Sequence, residues 1–146
     1  MELLYRGTRD GPADIFHKKC DNQGPTIVLY KNEKGNIFGG YASISWTNSG
    51  KCKSAPDSFI FTIININEIE PTKFANSNTS CNVHHTHKQG LVFGPTDILF
   101  CEYFNKEGNY CSNFPYYYED ILGKGKSIFT GNINNNINLK MKEIEI

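Results

Sequence analysis

The segment His84-His85-Thr86-His87 is the densest group of potential metal ligands in this chain of 146 residues. Neutral imidazole is a good ligand for zinc and copper. In an extended segment His85 and His87 would share one face, whereas His84 would point to the other. A closed zinc site needs four ligands, and Cys81 is the one evident helper nearby. We therefore predict no metal site and no other cofactor, and a His-rich metal-binding module remains an alternative.

Five cysteines could supply thiol chemistry. Their odd number and the lack of a Cys-x-x-Cys pair are typical of reduced thiols in the cytosol. A reactive thiol needs a lowered pKa, from a cationic neighbour or a helix N-terminus. Cys52 lies between Lys51 and Lys53, although a lone cysteine between lysines is usually a plain surface thiol. Cys20 falls at the C-terminal end of a predicted helix, where the helix dipole disfavours a thiolate, and Cys101 falls in an apolar strand. A peroxide-consuming thiol enzyme using Cys52 is therefore an alternative function.

The glycines and the other titratable residues do not form an enzyme signature. Gly39-Gly40 lacks the residues that surround either nucleotide-binding glycine motif, so it predicts a bulge or a close backbone approach. His17 and Asp21 are four apart, a spacing that more often fixes a helix end. The sequence contains no Gly-x-Ser-x-Gly elbow and no spacing that assigns a nucleophile and a base. We predict that the protein is not an enzyme.

Charge and hydropathy narrow the class of partner. The 15 Lys and Arg residues balance the 15 Asp and Glu residues, which argues against tight nucleic-acid binding. The longest apolar runs, such as residues 60–64, are too short to span a bilayer. The N-terminus lacks the pattern of a signal peptide. We predict one soluble, cytoplasmic domain that binds no nucleic acid and does not insert into a membrane.

The candidate residues named above must be positioned by secondary structure, which is predicted to consist mainly of short strands. A helix is predicted over residues 13–20, because Pro12 suits a helix start and the charges of Asp14 and Lys18-Lys19 complement the helix dipole. Residues 26–30 and the segment from Ile37 are rich in β-branched and aromatic side chains and form a predicted hairpin. Further strands are predicted at 58–64, 91–93, 98–104, 127–129 and 139–146. The pattern predicts a mainly β protein, a β-sandwich of two antiparallel sheets with a few short flanking helices.

The last predicted strand changes its alternation part-way. Its apolar side chains follow one register before Lys142 and the opposite register after Glu143, so a bulge at Lys142-Glu143 would bring both sets to the core and turn Glu143 and Glu145 outward. The apolar residues concerned are Leu139, Met141, Ile144 and Ile146. The alternatives are a strand that crosses between sheets, or a strand end that is buried on both faces. Charges on such a strand also discourage edge-to-edge aggregation.

A run of aromatic residues, Tyr116-Tyr117-Tyr118, follows Phe114-Pro115. Tyrosine is favoured at interfaces because it combines a large contact area with a hydroxyl group. The same run is equally well explained by packing within a sheet. Both interpretations remain open at this point.

Several motifs together resemble the TLDc domain, a module of eukaryotic oxidation-resistance and vacuolar-ATPase-associated proteins. The opening is carried by Leu3-Leu4-Tyr5-Arg6-Gly7-Thr8-Arg9-Asp10-Gly11, Phe16-His17, Cys20-Asp21, Gly24-Pro25-Thr26, Gly35 to Tyr41 and Ser45-Trp46. Residues 58–63, Phe93-Gly94 with Asp97-Ile98, and the closing segment Lys142 to Ile146 extend the match. Three departures are a shorter connection from Asp10 to Phe16, Gly90-Leu91 in place of Gly-Pro, and no helical segment before Leu3.

The resemblance carries expectations about function. It implies a single domain over residues 1–146, lacking its N-terminal helical segment and excised from a longer protein. It implies a non-catalytic interaction domain that binds the vacuolar proton-pumping ATPase, protects against oxidative stress and is recruited to the cytosolic face of acidic organelles. The expected interaction residues are Glu143, Glu145, Tyr116, Tyr117 and Tyr118. The expected fold-defining residues are Arg6, Asp10, Gly24, Gly39, Gly40, Trp46 and Gly94.

Overall fold

The computed structural model describes residues 2–77, 80–85, 90–99, 114–131 and 141–146. Within them the helices are α1 (Gly7–Asp10), α2 (Ala13–Cys20) and α3 (Ser127–Thr130). The strands are β1 (Thr26–Asn32), β2 (Ile37–Ala42), β3 (Cys52–Lys53), β4 (Phe59–Ile64), β5 (Thr72–Ala75), β6 (Val83–His85), β7 (Leu91–Phe93), β8 (Ile98–Leu99) and β9 (Met141–Glu145). None of the described helices combines the length and the apolar character needed to cross a membrane.

The described strands form two antiparallel sheets, and the predicted fold class is confirmed. One sheet has the order β5-β4-β2-β1-β9, and the other has the order β3-β6-β7-β8. The first and last parts of the chain meet at β9, because Leu4 N–H donates to Ile146 O at 2.7 Å and Ile146 N–H donates to Tyr5 O at 2.9 Å. Both ends of the domain therefore lie at the same edge of the larger sheet.

The two sheets approach each other closely at Gly40. A Cβ atom at this position would lie 2.4 Å from Cζ of Phe93 in the facing sheet. The ring of Phe93 also packs edge-on against Trp46, with centroids 5.6 Å apart, and Trp46 packs against Phe16 of α2 at 6.3 Å. The indole Nε1 of Trp46 donates to Oγ1 of Thr26 at 2.8 Å. This buried aromatic group joins β1, β2, β7 and α2 in one core.

The predicted hairpin of β1 and β2 is confirmed, and buried asparagines close its turn. Asn32 N–H donates to Asn36 O at 3.1 Å, and Asn36 N–H donates to Oδ1 of Asn32 at 3.0 Å. The Nδ2 atoms of both residues donate to Phe129 O, at 3.2 and 3.1 Å. The amide groups therefore satisfy a carbonyl of α3 that the core would otherwise leave unpaired.

The prediction of a strand at residues 127–129 is wrong, because this segment forms the helix α3. Gly131 follows the helix at a φ of +64°, and its N–H donates to Ser127 O. Glycine is favoured in this left-handed conformation at the end of a helix. A run of three residues is too short for its periodicity to separate helix from strand.

The prediction that the cysteines are reduced thiols is wrong for one pair. Cys52 and Cys81 form a disulfide across 29 residues of sequence, so no local spacing marks the pair. Cys20 is free and buried at the end of α2, and burial raises the pKa of its thiol to about 12. Cys20 is accordingly a core residue, as its place at the C-terminal end of the predicted helix indicated.

Some predictions fall outside the described residues. They concern His87, Cys101, Leu139 and the part of the predicted strand beyond Leu99. Of that strand, the described portion is β8.

Candidate interaction surface on the larger sheet

The closing strand β9 has the predicted bulge. Glu143 pairs with Lys31 and Met141 pairs with Asn32, so Lys142 is the extra residue between two consecutive positions of β1. Met141 is 4 % exposed and Ile144 is fully buried. The change of alternation predicted this result, that apolar residues on both sides of the bulge face the core. The bulge therefore restores the core side of the strand and leaves its acidic residues at the surface.

Glu143 and Glu145 contact the N-terminal segment. Oε1 of Glu143 accepts the N–H of Thr8 at 3.1 Å, and Oε2 accepts the Thr8 hydroxyl at 2.5 Å. Glu145 forms an ion pair with Arg6 at 2.7 Å, between side chains that are 34 % and 43 % exposed. The sequence contains no local signal for the pairing with Arg6, because that pairing depends on the first and last described segments meeting at β9.

Asp10 organises the turn that carries Thr8. Its carboxylate accepts two hydrogen bonds from the Arg9 guanidinium, at 2.8 and 2.7 Å, one from Lys19 at 2.9 Å and one from the N–H of Arg6 at 2.8 Å. The bonds from Arg9, together with those from Arg6 and Lys19, hold the pKa of Asp10 far below its usual range. A carboxylate with this many donors is a fixed anionic centre for α1.

The outer face of the larger sheet is apolar. The ladder places Ile27 opposite Tyr41 and Tyr41 opposite Phe59, and the alternating burial along β1 puts Ile27 on the side away from the core. Ile27 is 43 % exposed. The rings of Tyr41 and Phe59 are 5.2 Å apart, and Lys73 Nζ lies 4.1 Å from the centroid of the Phe59 ring. Solvated faces of antiparallel sheets are commonly polar, so an aromatic and aliphatic face indicates a contact surface.

A groove of about 610 Å³ runs along this face beside the N-terminal segment. Apolar side chains of β1 and β2 line it, together with Glu145 of β9. The lining residues are Glu2, Leu3, Leu4, Gln23, Pro25, Thr26, Ile27, Leu29, Tyr41, Glu145 and Ile146. We call this groove together with Ile27, Leu29, Tyr41, Phe59 and Phe61 the outer face. A groove of this size, with an apolar floor and a few polar groups, suits the binding of a partner side chain or helix.

The tyrosine run lies at the opposite edge of the same sheet. Ser77 N–H donates to Tyr117 O at 2.8 Å, so the run extends the β5 edge rather than the β9 edge. Tyr116 is 67 % exposed. Tyr118 is fully buried, and its hydroxyl donates to Asn82 O at 2.7 Å. The structure therefore does not bring Tyr116–Tyr118 together with the acidic residues of β9.

Asp97 connects the tyrosine run to the smaller sheet. Its Oδ1 accepts the N–H of Tyr116 at 2.9 Å, and its Oδ2 accepts the N–H of Tyr117 at 3.2 Å. Burial raises the pKa of Asp97 to about 6, and these two hydrogen bonds oppose the rise. Gly94 lies beside it at a φ of +62°, where a Cβ atom would be 2.2 Å from Oδ2. The sequence places Asp97 in a matched motif but does not identify it as an anchor, because its partners Tyr116 and Tyr117 are distant in sequence.

His85 is a buried core residue. It packs against Trp46, with ring centroids 5.6 Å apart, and its Nδ1 accepts the N–H of Thr47 at 2.7 Å. Burial lowers its pKa to about 4. His84 points to the other face of β6, and across residues 2–77, 80–85, 90–99, 114–131 and 141–146 no group of three His, Cys, Asp or Glu residues has metal-site geometry.

Two other glycines of the matched motifs, Gly39 and Gly24, occupy positions that disfavour a side chain, the first because of space and the second because of its backbone conformation. A Cβ atom at Gly39 would lie 1.9 Å from the carbonyl oxygen of Val28. Gly24 has a φ of +82°, and its N–H donates to Oγ of Ser45 at 3.0 Å. Both positions therefore restrict the residue to glycine for local reasons.

Comparison with known proteins identifies a family. A sequence model of the TLDc domain matches residues 1–146, so the predicted resemblance is confirmed. The chain is also 39 % identical over 44 residues to the MTOR-associated protein MEAK7 of Danio rerio. That match covers 30 % of this chain and 10 % of the relative, so this chain corresponds to a small part of the relative's length.

Proposed function

This chain belongs to the TLDc family, and on that premise we propose that it is a non-catalytic interaction domain that binds a protein partner through its outer face. The observation that supports the proposal is an apolar outer face on which Ile27 is 43 % exposed. Exposed apolar patches of this kind, rimmed by charged residues, mark interaction sites. Aromatic residues such as Tyr41 and Phe59 are also enriched at the cores of protein interfaces.

The proposed partner is the vacuolar proton-pumping ATPase, which the TLDc resemblance implies. The domain would then act in the cytoplasm and be recruited to the cytosolic face of acidic organelles, with protection against oxidative stress as the consequence. The relative MEAK7 is named for its association with MTOR, which supports protein binding as the general activity. Glu145 contributes as a lining residue of the groove, and Glu143 contributes by holding α1 and the N-terminal segment against β9.

The contacts of the titratable groups support a binding role over a catalytic one. His85 accepts a backbone N–H, Asp97 accepts two, and Asp10 accepts four hydrogen bonds. His17 lies 3.0 Å from Asp21 at the end of α2. These side chains form hydrogen bonds within the fold, whereas a general base needs a lone pair that is directed at a substrate.

The test is affinity capture of the ATPase from membrane extracts with four immobilised forms of the domain. They are the wild type, Ile27→Glu, Glu143→Ala/Glu145→Ala, and Ile121→Glu as a matched control on an apolar residue that is 60 % exposed outside the outer face. Burying the remaining exposed part of Ile27 is worth about 1 kcal/mol, and burying a charge there costs more. We expect Ile27→Glu to reduce capture by about tenfold or more.

The result for the acidic double variant separates two contributions. A loss of capture that exceeds its loss of stability assigns the acidic residues of β9 to binding. Capture that is equal for Ile27→Glu, Ile121→Glu and the wild type contradicts the outer face as the contact surface. No capture of the ATPase by the folded wild type contradicts the proposed partner.

A further inference from the structure

The disulfide between Cys52 and Cys81 lies at the edge of the smaller sheet. Cys52 is exposed on β3, the edge strand, whereas Cys81 is 5 % exposed in the segment before β6. The Cα atoms are 5.0 Å apart, within the usual range for a disulfide. One sulfur is therefore accessible to a reagent in solution, and the other is sheltered behind it.

Backbone hydrogen bonds hold the two cysteines together independently of the covalent bond. Asn82 N–H donates to Lys53 O at 3.1 Å, and His85 N–H donates to Lys51 O at 3.0 Å. Oδ1 of Asn82 accepts the N–H of Ala55 at 2.6 Å. After reduction the two thiols would thus remain close to each other, and the disulfide could form again without a conformational change of the backbone.

The exposure of the two sulfurs sets the order of reaction. Cys52 is exposed on the edge strand, and His84 lies directly opposite it in the ladder between β3 and β6. Cys81 is 5 % exposed, so a reagent in solution reaches it only after Cys52. Cys52 is therefore the sulfur that reacts first in either direction.

Cys81 is next to a residue that ties several segments together. The carbonyl oxygen of Asn82 accepts the N–H of Gly94 at 2.8 Å and the hydroxyl of Tyr118 at 2.7 Å. The covalent bond thus joins the exposed edge strand to the point where β6, the turn after β7 and the tyrosine run meet.

We propose that Cys52 and Cys81 form a reversible thiol–disulfide exchange site for low-molecular-weight disulfides of the glutathione class. The Cys52 thiolate attacks oxidised glutathione, forming a mixed disulfide and releasing one glutathione thiolate. The Cys81 thiolate then attacks Sγ of Cys52, forming the internal disulfide and releasing the second glutathione thiolate. The cysteine pair loses two electrons and two protons, and one glutathione disulfide is reduced to two thiols. This site lies on the smaller sheet, so it is separate from the proposed binding by the outer face.

The test equilibrates the full chain in glutathione buffers from fully reducing to fully oxidising, at constant pH. Free thiols are trapped with a light maleimide, the disulfides are then reduced, and the new thiols are labelled with a heavy maleimide. Peptide mass spectrometry reads each cysteine separately. We expect Cys52 and Cys81 to change label together along one two-electron curve, while buried Cys20 keeps its state throughout.

Two variants resolve the order of steps. Cys81→Ser should stop at a mixed disulfide between Cys52 and one glutathione, whereas Cys52→Ser should leave Cys81 unmodified or modified at least tenfold more slowly. Cys52 is exposed, so Cys52→Ser preserves the core. The proposal is overturned if either cysteine stays a free thiol in the fully oxidising buffer, or if the bond persists in the fully reducing buffer. It is also overturned if Cys81 forms the mixed disulfide as fast as Cys52 does.

Discussion

Replacing Glu143 with alanine should destabilise the domain more than replacing Glu145. Glu143 accepts the N–H and the hydroxyl of Thr8, at 3.1 and 2.5 Å. A hydrogen bond contributes a net of about 0.5–1.5 kcal/mol, so losing two of them at a partly exposed site should cost about 1–2 kcal/mol. For a domain of this size that lowers Tm by about 3–8 °C. The ion pair of Glu145 with Arg6 joins partly exposed side chains, and such pairs contribute only about 0–1 kcal/mol.

The assay is thermal unfolding followed by circular dichroism, with Glu119→Ala as the control. Glu119 is an exposed acidic residue whose carboxylate forms no hydrogen bond or ion pair with the described part of the chain, so its replacement should leave Tm within about 1 °C. Glu143→Gln keeps an acceptor for Thr8 and should fall between the wild type and Glu143→Ala. The role of Glu143 in holding α1 against β9 would be refuted if Glu143→Ala had the same Tm as the wild type, or if Glu145→Ala lowered Tm more than Glu143→Ala does.

Three further outcomes are expected. Gly40→Ala should cost about 1–3 kcal/mol or more in denaturant unfolding, because its Cβ would lie 2.4 Å from Phe93 and overpacking strains a core; a neutral result would contradict the close approach of the sheets. Burial raises the pKa of Asp97 to about 6, so its contribution to stability is fully present below the unfolded value of about 3.9 and is lost as the pH rises through 6. The free energy of unfolding of Asp97→Asn minus that of the wild type should therefore increase between pH 4 and pH 7, and a constant difference would contradict it. Reducing the disulfide of Cys52 and Cys81 removes a cross-link across 29 residues, so the free energy of unfolding should fall by about 3–4 kcal/mol by the chain-entropy relation. The measurement compares the unfolding curves of the reduced and the oxidised protein. Cys52→Ser is the control, and its unfolding curve should be insensitive to reductant.

Much of the fold follows from local sequence. Pro12 and the charges of the following residues predict the helix over 13–20, and α2 spans Ala13–Cys20, with Pro12 just before it as the N-cap. The β-branched segment from Thr26 predicts β1, and the change of alternation around Lys142 predicts the bulge of β9. These features depend on propensity and period, which are properties of short windows.

The features that were missed depend on contacts between distant parts of the chain. No local sequence pattern predicts the pairing of Arg6 with Glu145 or of Cys52 with Cys81. Both pairs form because β9 and β3 lie beside segments that are far away in sequence. Tertiary contacts also decide α3, whose two apolar residues, Ile128 and Phe129, form too short a run to favour either secondary structure.

The outer face had a signal in the sequence. Residues 59–64 form an almost continuous apolar run in place of an alternation of apolar and polar residues. Such a run indicates a strand that is apolar on both faces. The acidic residues of β9 were predicted from the family resemblance, whereas the groove beside them required the structure.

The most direct test of the central claim is site-specific photo-crosslinking from the outer face to the purified vacuolar ATPase. A benzophenone amino acid is placed at Tyr41, which lines the groove, and in a matched control at Ile121, which is exposed elsewhere. If the outer face is the contact surface, the probe at Tyr41 crosslinks to a subunit of the ATPase and the probe at Ile121 does not. A crosslink from Ile121 together with none from Tyr41 would contradict the account.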